Sequence, residues 1–243
     1  MSHAVQMEFV DIFARSMPNF FTNCRVLEVG SLDVNGSVRT FFRDCAYLGI
    51  DVGQGPGVDL VCQGQDYAGP DGGVDTVISC ECMEHNPYWR ETFRNMVRSC
   101  RVGGLVLMTC ASVGRPEHGT PGSGDGASPL TDDLGWDYYR NLSKREFGAA
   151  FPLDRWFAEY HFWTNWAARD LYFGGVKCGS GLTTGHALPP ALVTDVERWL
   201  RPINATRYAR RQRVMLPLLG ERGIVVDRML SRVRRLTRAK PAG

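Results

Sequence analysis

Five short apolar runs, rich in β-branched residues and closed by glycine or polar residues, punctuate the first half of the chain. They are CRVLEVG (Cys24 to Gly30), AYLGIDV (Ala46 to Val52), VDLVC (Val58 to Cys62), VDTVISC (Val74 to Cys80) and GGLVLMTCA (Gly103 to Ala111). Runs of this length and character read as strands covered on both faces, as in a parallel sheet. Between the fourth and fifth, Trp89, Phe93, Met96, Val97 and Cys100 share one helical face, while Arg90, Glu91, Arg94 and Arg98 share the other. Strand, helix and strand at this spacing imply right-handed crossovers. The expected fold is α/β, with a doubly wound, mostly parallel sheet whose ligand site lies at the carboxyl ends of the strands.

The rhythm breaks at Gly114 to Asp133, where five glycines and three prolines make a loop of the length expected for a lid, a binding loop or a disordered segment. SKREFGAAF then reads as a helix capped by Ser143, with Glu146 at the reciprocal position of a capping box. RWFAEYHFWTNW and DLYFGGVKC read as late, aromatic-rich strands. From His186 on, a helix entered through Pro189 and Pro190, the basic segment TRYARRQRVMLPLLG and a last helix from Gly223 form a different region. The division expected is residues 1–185 as the main domain and 186–243 as a basic helical C-terminal extension.

A hydrophobic content of 44% against 22% charged residues excludes a disordered or low-complexity chain. Eight cysteines lie mostly inside apolar runs and none forms a C-x-x-C, so neither a disulfide framework nor a zinc ribbon is expected. Glu8 and Asp11 stand where a signal peptide needs apolar residues, and no run approaches the roughly 18 apolar residues of a membrane span. A cytoplasmic protein is the expectation. The net charge of +2 hides an asymmetry: Arg198 to Lys240 holds 13 Lys and Arg against Glu221 and Asp227, leaving 15 basic and 24 acidic residues before it. An acidic body carries a basic tail.

VLEVGSLDVNG joins a strand ending in an acid to a glycine turn and an expected helix start near Asn35 and Gly36. Gly30 lets backbone approach a ligand, and Glu28 suits a cationic or amino-bearing ligand better than a phosphate. The dinucleotide fingerprint is absent, because glycines would be needed at 30, 32 and 35, where Gly30, Leu32 and Asn35 stand. Asp51, 21 residues beyond Gly30 at the end of the second strand, is placed to accept both hydroxyls of a ribose. The plainer readings are a simple strand-to-helix turn for Gly30 and a helix cap for Asp51; together the two residues favour a nucleoside.

VLEVGSLDVNGSVR, YLGIDVGQGPGVDLV, SCECMEHNPYW and RVGGLVLMTCA, in this order and spacing, resemble the class I S-adenosylmethionine-dependent methyltransferases, in particular a methyltransferase-11-like bacterial branch. The resemblance covers Cys24 to Ala111. It implies a seven-stranded sheet with its last strands partly antiparallel, and S-adenosyl-L-methionine as cofactor. Glu28, Gly30, Ser31 and Gly36 would contact the methionine part and Asp51 the ribose. Val52 would pack on the adenine, Gln63 and Gly64 would read its edge, and Cys80 would border the same site. Gln63 departs from the family's usual acid, though its amide oxygen still accepts a hydrogen bond.

His85, after Glu84 just beyond the fourth strand, is the candidate proton acceptor for transfer to a hydroxyl, with His118 in the glycine-rich loop as the second candidate. The plainer readings are a scaffold histidine and an exposed loop histidine, and proximity alone can carry much of such catalysis. Cys80 and Cys82 read as packing on one strand face. His3, His85, His118, His161 and His186 show no ligand spacing, so no metal is expected. Tyr138, Tyr139, Trp156, Trp163 and Trp166 read as late-sheet core, in preference to a box for a sugar ring or aromatic acceptor.

The expected reaction is O-methylation of a small molecule such as a sugar, glycan or secondary metabolite. N-P-Y at Asn86 to Tyr88 approaches a motif of nucleic-acid amino-methylation but falls after the Glu84–His85 pair. One rival is an RNA or DNA methyltransferase holding phosphates with the tail, disfavoured by the acidic body. Another is a non-catalytic S-adenosylmethionine-binding assembly module. In the tail, Val226, Met229, Leu230, Val233 and Leu236 oppose Arg228, Arg232, Arg234, Arg235 and Arg238. That stripe suits docking on the acidic body or peripheral contact with an anionic membrane.

Overall fold

The computed structural model describes residues 4–124, 126–179 and 187–220, together with 222, 223 and 226. The strands are β1 (Arg25–Val29), β2 (Ala46–Asp51), β3 (Leu60–Val61), β4 (Val74–Cys80), β5 (Cys100–Ala111), β6 (Phe157–Asn165) and β7 (Asp170–Lys177). The helices are α1 (Ala4–Ser16), α2 (Trp89–Ser99), α3 (Pro129–Asp133), α4 (Lys144–Ala150), α5 (Leu153–Trp156), α6 (Pro190–Asn204) and α7 (Arg207–Leu219).

The seven strands form one sheet in the order β3-β2-β1-β4-β5-β7-β6. The first five are parallel, and β7 runs antiparallel to both β5 and β6. The order reverses between β1 and β4, which creates a switch point with a crevice beyond the strand ends. All five expected early strands and both late ones are present, and the aligned carboxyl ends of β1, β2 and β4 define where a ligand can enter.

Each face of the sheet carries its own core. On one side α1 and α6 pack Phe9, Phe13, Leu192 and Val196 against Trp163 and Tyr172. On the other, α2 and α4 pack Trp89, Phe93 and Phe147 against Met108 and Phe173. Each fully buried side chain of this size contributes about 1.5–3 kcal/mol of transfer free energy. Ser143 caps α4 as expected: its Oγ accepts from Glu146 N at 3.3 Å and donates to Glu146 Oε2 at 2.9 Å.

One expectation changes. The helix expected near Asn35 is only a 3₁₀ turn over Val38–Phe41, with Ser37 Oγ accepting from Arg39 N. Gly36 sits at φ +124°, and Val38, Phe41 and Phe42 are drawn into the core beside α1, which leaves no room for a regular helix. The expected extension opens with α6, whose Leu192, Val196 and Leu200 are buried in the same core as α1. Asn204 also bonds Thr164 O and Trp166 N, at 2.9 and 2.8 Å. The basic segment after it is the helix α7, capped by Thr206. Apart from Val226, the residues of the amphipathic stripe lie outside the described part of the chain. Among the described residues no helix is long and apolar enough to cross a membrane.

Candidate functional site

A cleft opens at the switch point, with about 590 Å³ of space including its mouth. Gly30, Asp51, Val52, Gly64, Glu81, Cys82, His85 and Asn86 line it. Leu130 and Trp136, contributed by the glycine-rich loop and the stretch after it, also line the cleft.

Gly30 occupies φ +82°, and a Cβ there would stand 2.6 Å from the Cβ of Cys82. The turn after β1 therefore needs glycine for its backbone and for the close approach of the segment that follows β4. Gly30 N and Ser31 N both bond to Ile50 O, at 2.9 and 3.1 Å. Asp51 accepts from Leu32 N at 2.9 Å and Val52 N at 2.8 Å, one amide to each carboxylate oxygen. Burial raises its pKa and the two amides lower it, with a net upward shift. The result is a carboxylate locked in one orientation at the rim of the cleft.

The other sequence candidates are placed as follows. Glu28 is buried inside β1, off the cleft lining, where it accepts from Tyr47 Oη at 2.7 Å. Burial pushes its pKa up to about 7, against the smaller lowering by the Tyr47 bond. Ser31 is buried, with its side chain against Gly49. Gly36 bonds to Asp33 Oδ1 at 2.9 Å and lies off the lining, and Gln63 accepts from Gln65 Nε2 at 2.6 Å, also off it. Cys80 ends β4 and is buried behind the lining, which instead includes Cys82, a residue read as plain packing. Burial pushes the Cys82 thiol up to about 12, so it is neutral and a poor nucleophile.

Past β4 the backbone is strained: Glu81 adopts φ +53°, held by its N–H bond to Thr109 O at 3.0 Å. A non-glycine residue in this region costs on the order of 1–3 kcal/mol and persists where the surroundings impose it. A short 3₁₀ turn (Met83–His85) follows and presents His85, which is 3% exposed. Asn86 is committed locally: its Nδ2 donates to Thr92 Oγ1 at 2.9 Å and its Oδ1 accepts from Tyr88 N at 2.7 Å. The N-P-Y segment therefore stabilises the turn into α2.

The glycine-rich loop folds back over this turn. His118 stands 5.0 Å from His85, ring centroid to ring centroid, with the planes at 87°. Tyr139 faces both, at 5.6 and 5.0 Å. This differs from the core role expected of Tyr139, while Trp163 does pack in the core, against Phe9 and Phe13. Beneath the pair lie three buried carboxyls. Arg115 pairs with Asp170 and, at 3.3 Å, with Glu81. Glu84 Oε1 accepts from Ala111 N at 2.9 Å. Burial, then repulsion from Glu84, pushes Glu81 up to about 8, and burial, then Glu81, pushes Asp170 up to about 7.

Glu81, Leu130 and Trp136 were not singled out from the sequence. The loop composition around Leu130 and Trp136 was the one available signal. The meeting of His85 with His118 across 33 residues had none.

No family model matches the chain, and no curated protein does. Among solved structures, phosphoethanolamine N-methyltransferase 2 of Haemonchus contortus, in complex with S-adenosyl-L-methionine, is 15% identical and has a TM-score of 0.50; the match covers 71% of this chain and 52% of that one. This chain thus spans about half the length of that enzyme. The 1,6-didemethyltoxoflavin-N1-methyltransferase of Burkholderia thailandensis is 12% identical over 72% of this chain and 80% of its own, with a TM-score of 0.48. The YcgJ protein of Bacillus subtilis is 14% identical over 71% and 99%, with a TM-score of 0.49. The strand order, the antiparallel β7 and the likeness to the Haemonchus enzyme place the chain in the class I S-adenosylmethionine-dependent methyltransferase fold.

Proposed function

We propose that the protein is an S-adenosyl-L-methionine-dependent methyltransferase that methylates an oxygen of a small molecule, in the class of a sugar, glycan or secondary metabolite. The observation that carries the reading is the Asp51 carboxylate, pinned by Leu32 N and Val52 N on the same cleft as Gly30. A fixed acceptor of two hydrogen bonds fits the paired hydroxyls of a ribose, and the Gly30 turn leaves backbone free to approach the rest of the cofactor. When bound, the cofactor supplies an electrophilic methyl group.

The residues of the chain do the remaining work. Gly30, Asp51, Val52 and Gly64 hold the nucleoside, and Leu130 and Trp136 exclude water. His85 faces the acceptor and takes the proton of its hydroxyl, and Tyr139 offers a ring face for stacking.

Calorimetry of the full chain with S-adenosylhomocysteine should give binding in the micromolar range, about 8 kcal/mol. Incubation with S-adenosylmethionine and a panel of hydroxylated small molecules, read by mass spectrometry, then identifies the acceptor. Absence of binding overturns the reading. Binding without transfer to any hydroxyl, amine or nucleic acid supports the assembly-module alternative.

A further inference from the structure

We propose that Glu84, His85 and His118 form a binding site for a divalent transition metal of the zinc class, at the acceptor side of the cleft. One ligand atom from each of the three lies within 4.8 Å of the other two. Zinc binds nitrogen and oxygen at about 2.0–2.2 Å in tetrahedral geometry, which sets ligand atoms roughly 3.4 Å apart. The three ligand atoms need to draw closer together to close on an ion.

Two features of the cluster favour an ion over plain packing. His118 Nδ1 lies 3.0 Å from Pro116 O, and a carbonyl only accepts, so in the neutral ring this nitrogen carries the hydrogen and Nε2 is the one left to ligate. Metal-bound imidazoles are oriented by this kind of outer hydrogen bond. Glu84 is wholly buried; one carboxylate oxygen accepts from Ala111 N, and the other has no hydrogen-bond partner among the described residues. A buried carboxylate oxygen without a donor costs free energy that a cation recovers.

Two imidazoles and one carboxylate suit zinc, or cobalt in its place, better than magnesium, which prefers oxygen throughout. Three protein ligands leave a fourth position, and His85 lines the cleft, so that position is reached from the acceptor side. A lone pair given to the ion is not available to an acceptor proton. Metal occupancy therefore switches His85 from proton acceptor to ligand and inhibits transfer. The site itself does not depend on the proposed reaction, and it is tested with the metal alone.

Full-length protein stripped with chelator should bind one equivalent of zinc chloride by calorimetry, at micromolar affinity or tighter. Cobalt chloride should give the intense visible absorption of a tetrahedral site. His118→Ala, His85→Ala and Glu84→Gln should each weaken binding by at least about tenfold, the loss expected from removing even an orienting partner of a ligand. His161→Ala, remote on β6, should leave it unchanged. His118→Ala is the decisive variant, because its partly exposed ring can be removed with the fold intact, as thermal melting will show. No binding by the stripped protein, or binding that survives His118→Ala, overturns the site.

Discussion

The amide of Leu32 donates to the carboxylate of Asp51 at 2.9 Å, tying the glycine turn after β1 to the end of β2. With Val52 N on the other oxygen, the side chain that would meet the ribose also holds the wall of its own pocket. With Asp51 on the ribose, cofactor affinity and local order would be coupled through one residue.

Asp51→Ala removes a charge-assisted acceptor and leaves two part-buried amides without a partner. S-adenosylhomocysteine affinity should fall by about 1.5–3 kcal/mol, with a lower melting temperature. Asp51→Asn, which keeps one acceptor oxygen, should recover more of the stability than of the affinity. Calorimetry and thermal melting of the two variants separate the effects, and unchanged affinity in both would remove Asp51 from the ribose.

Gly30→Ala places a Cβ at φ +82° and 2.6 Å from the Cβ of Cys82. The conformational cost alone is about 1–3 kcal/mol, and the clash adds to it. Urea unfolding should show the loss, and cofactor binding should weaken as the turn moves.

Glu28 has an ordinary pKa of 4.5 and a folded-state value raised to about 7, chiefly by burial. The folded chain holds this proton more tightly than the unfolded chain, so the stability it contributes is complete below 4.5. It is lost as pH rises through 7, by about 3 kcal/mol in total. Subtracting the stability–pH curve of Glu28→Gln from that of the wild type should isolate this fall, with no further change above the window. A difference curve that rises with pH would contradict it.

Arg115 is the guanidinium between Glu81 and Asp170. Arg115→Met leaves both buried carboxyls without it and should destabilise the protein by about 3–5 kcal/mol. Adding Asp170→Asn should restore part of the loss, because one charge is then removed with its partner. A strictly additive double variant in denaturant titrations would show that the pair is not coupled.

His85→Ala should lower turnover on the acceptor by about 10²–10⁴ while leaving S-adenosylhomocysteine affinity nearly intact. Equal loss in His118→Ala, with His85→Ala still active, would move proton transfer to the loop.

The strands could be read from the chain because their instructions are local. Val26, Leu27 and Val29, or Leu105 to Met108, are apolar on both faces wherever they sit in a parallel sheet, and glycines end the runs. Gly30 and Asp51 were legible for the same reason, since a left-handed turn and a strand-end acid act on their neighbours. The Ser143–Glu146 cap is written within four residues. By contrast, the insertion of β7 between β5 and β6 depends on pairings that no local pattern encodes. The core role of α1 was hidden because its Phe9 and Phe13 acquire meaning only against Trp163 and Tyr172. The 3₁₀ turn at Val38 likewise reflects burial beside α1 overriding local helical preference. The convergence of Glu84, His85 and His118 was decided by the fold alone. It arises where a loop with few intrinsic constraints settles on the strained turn after β4, and chain spacing carries no record of that contact.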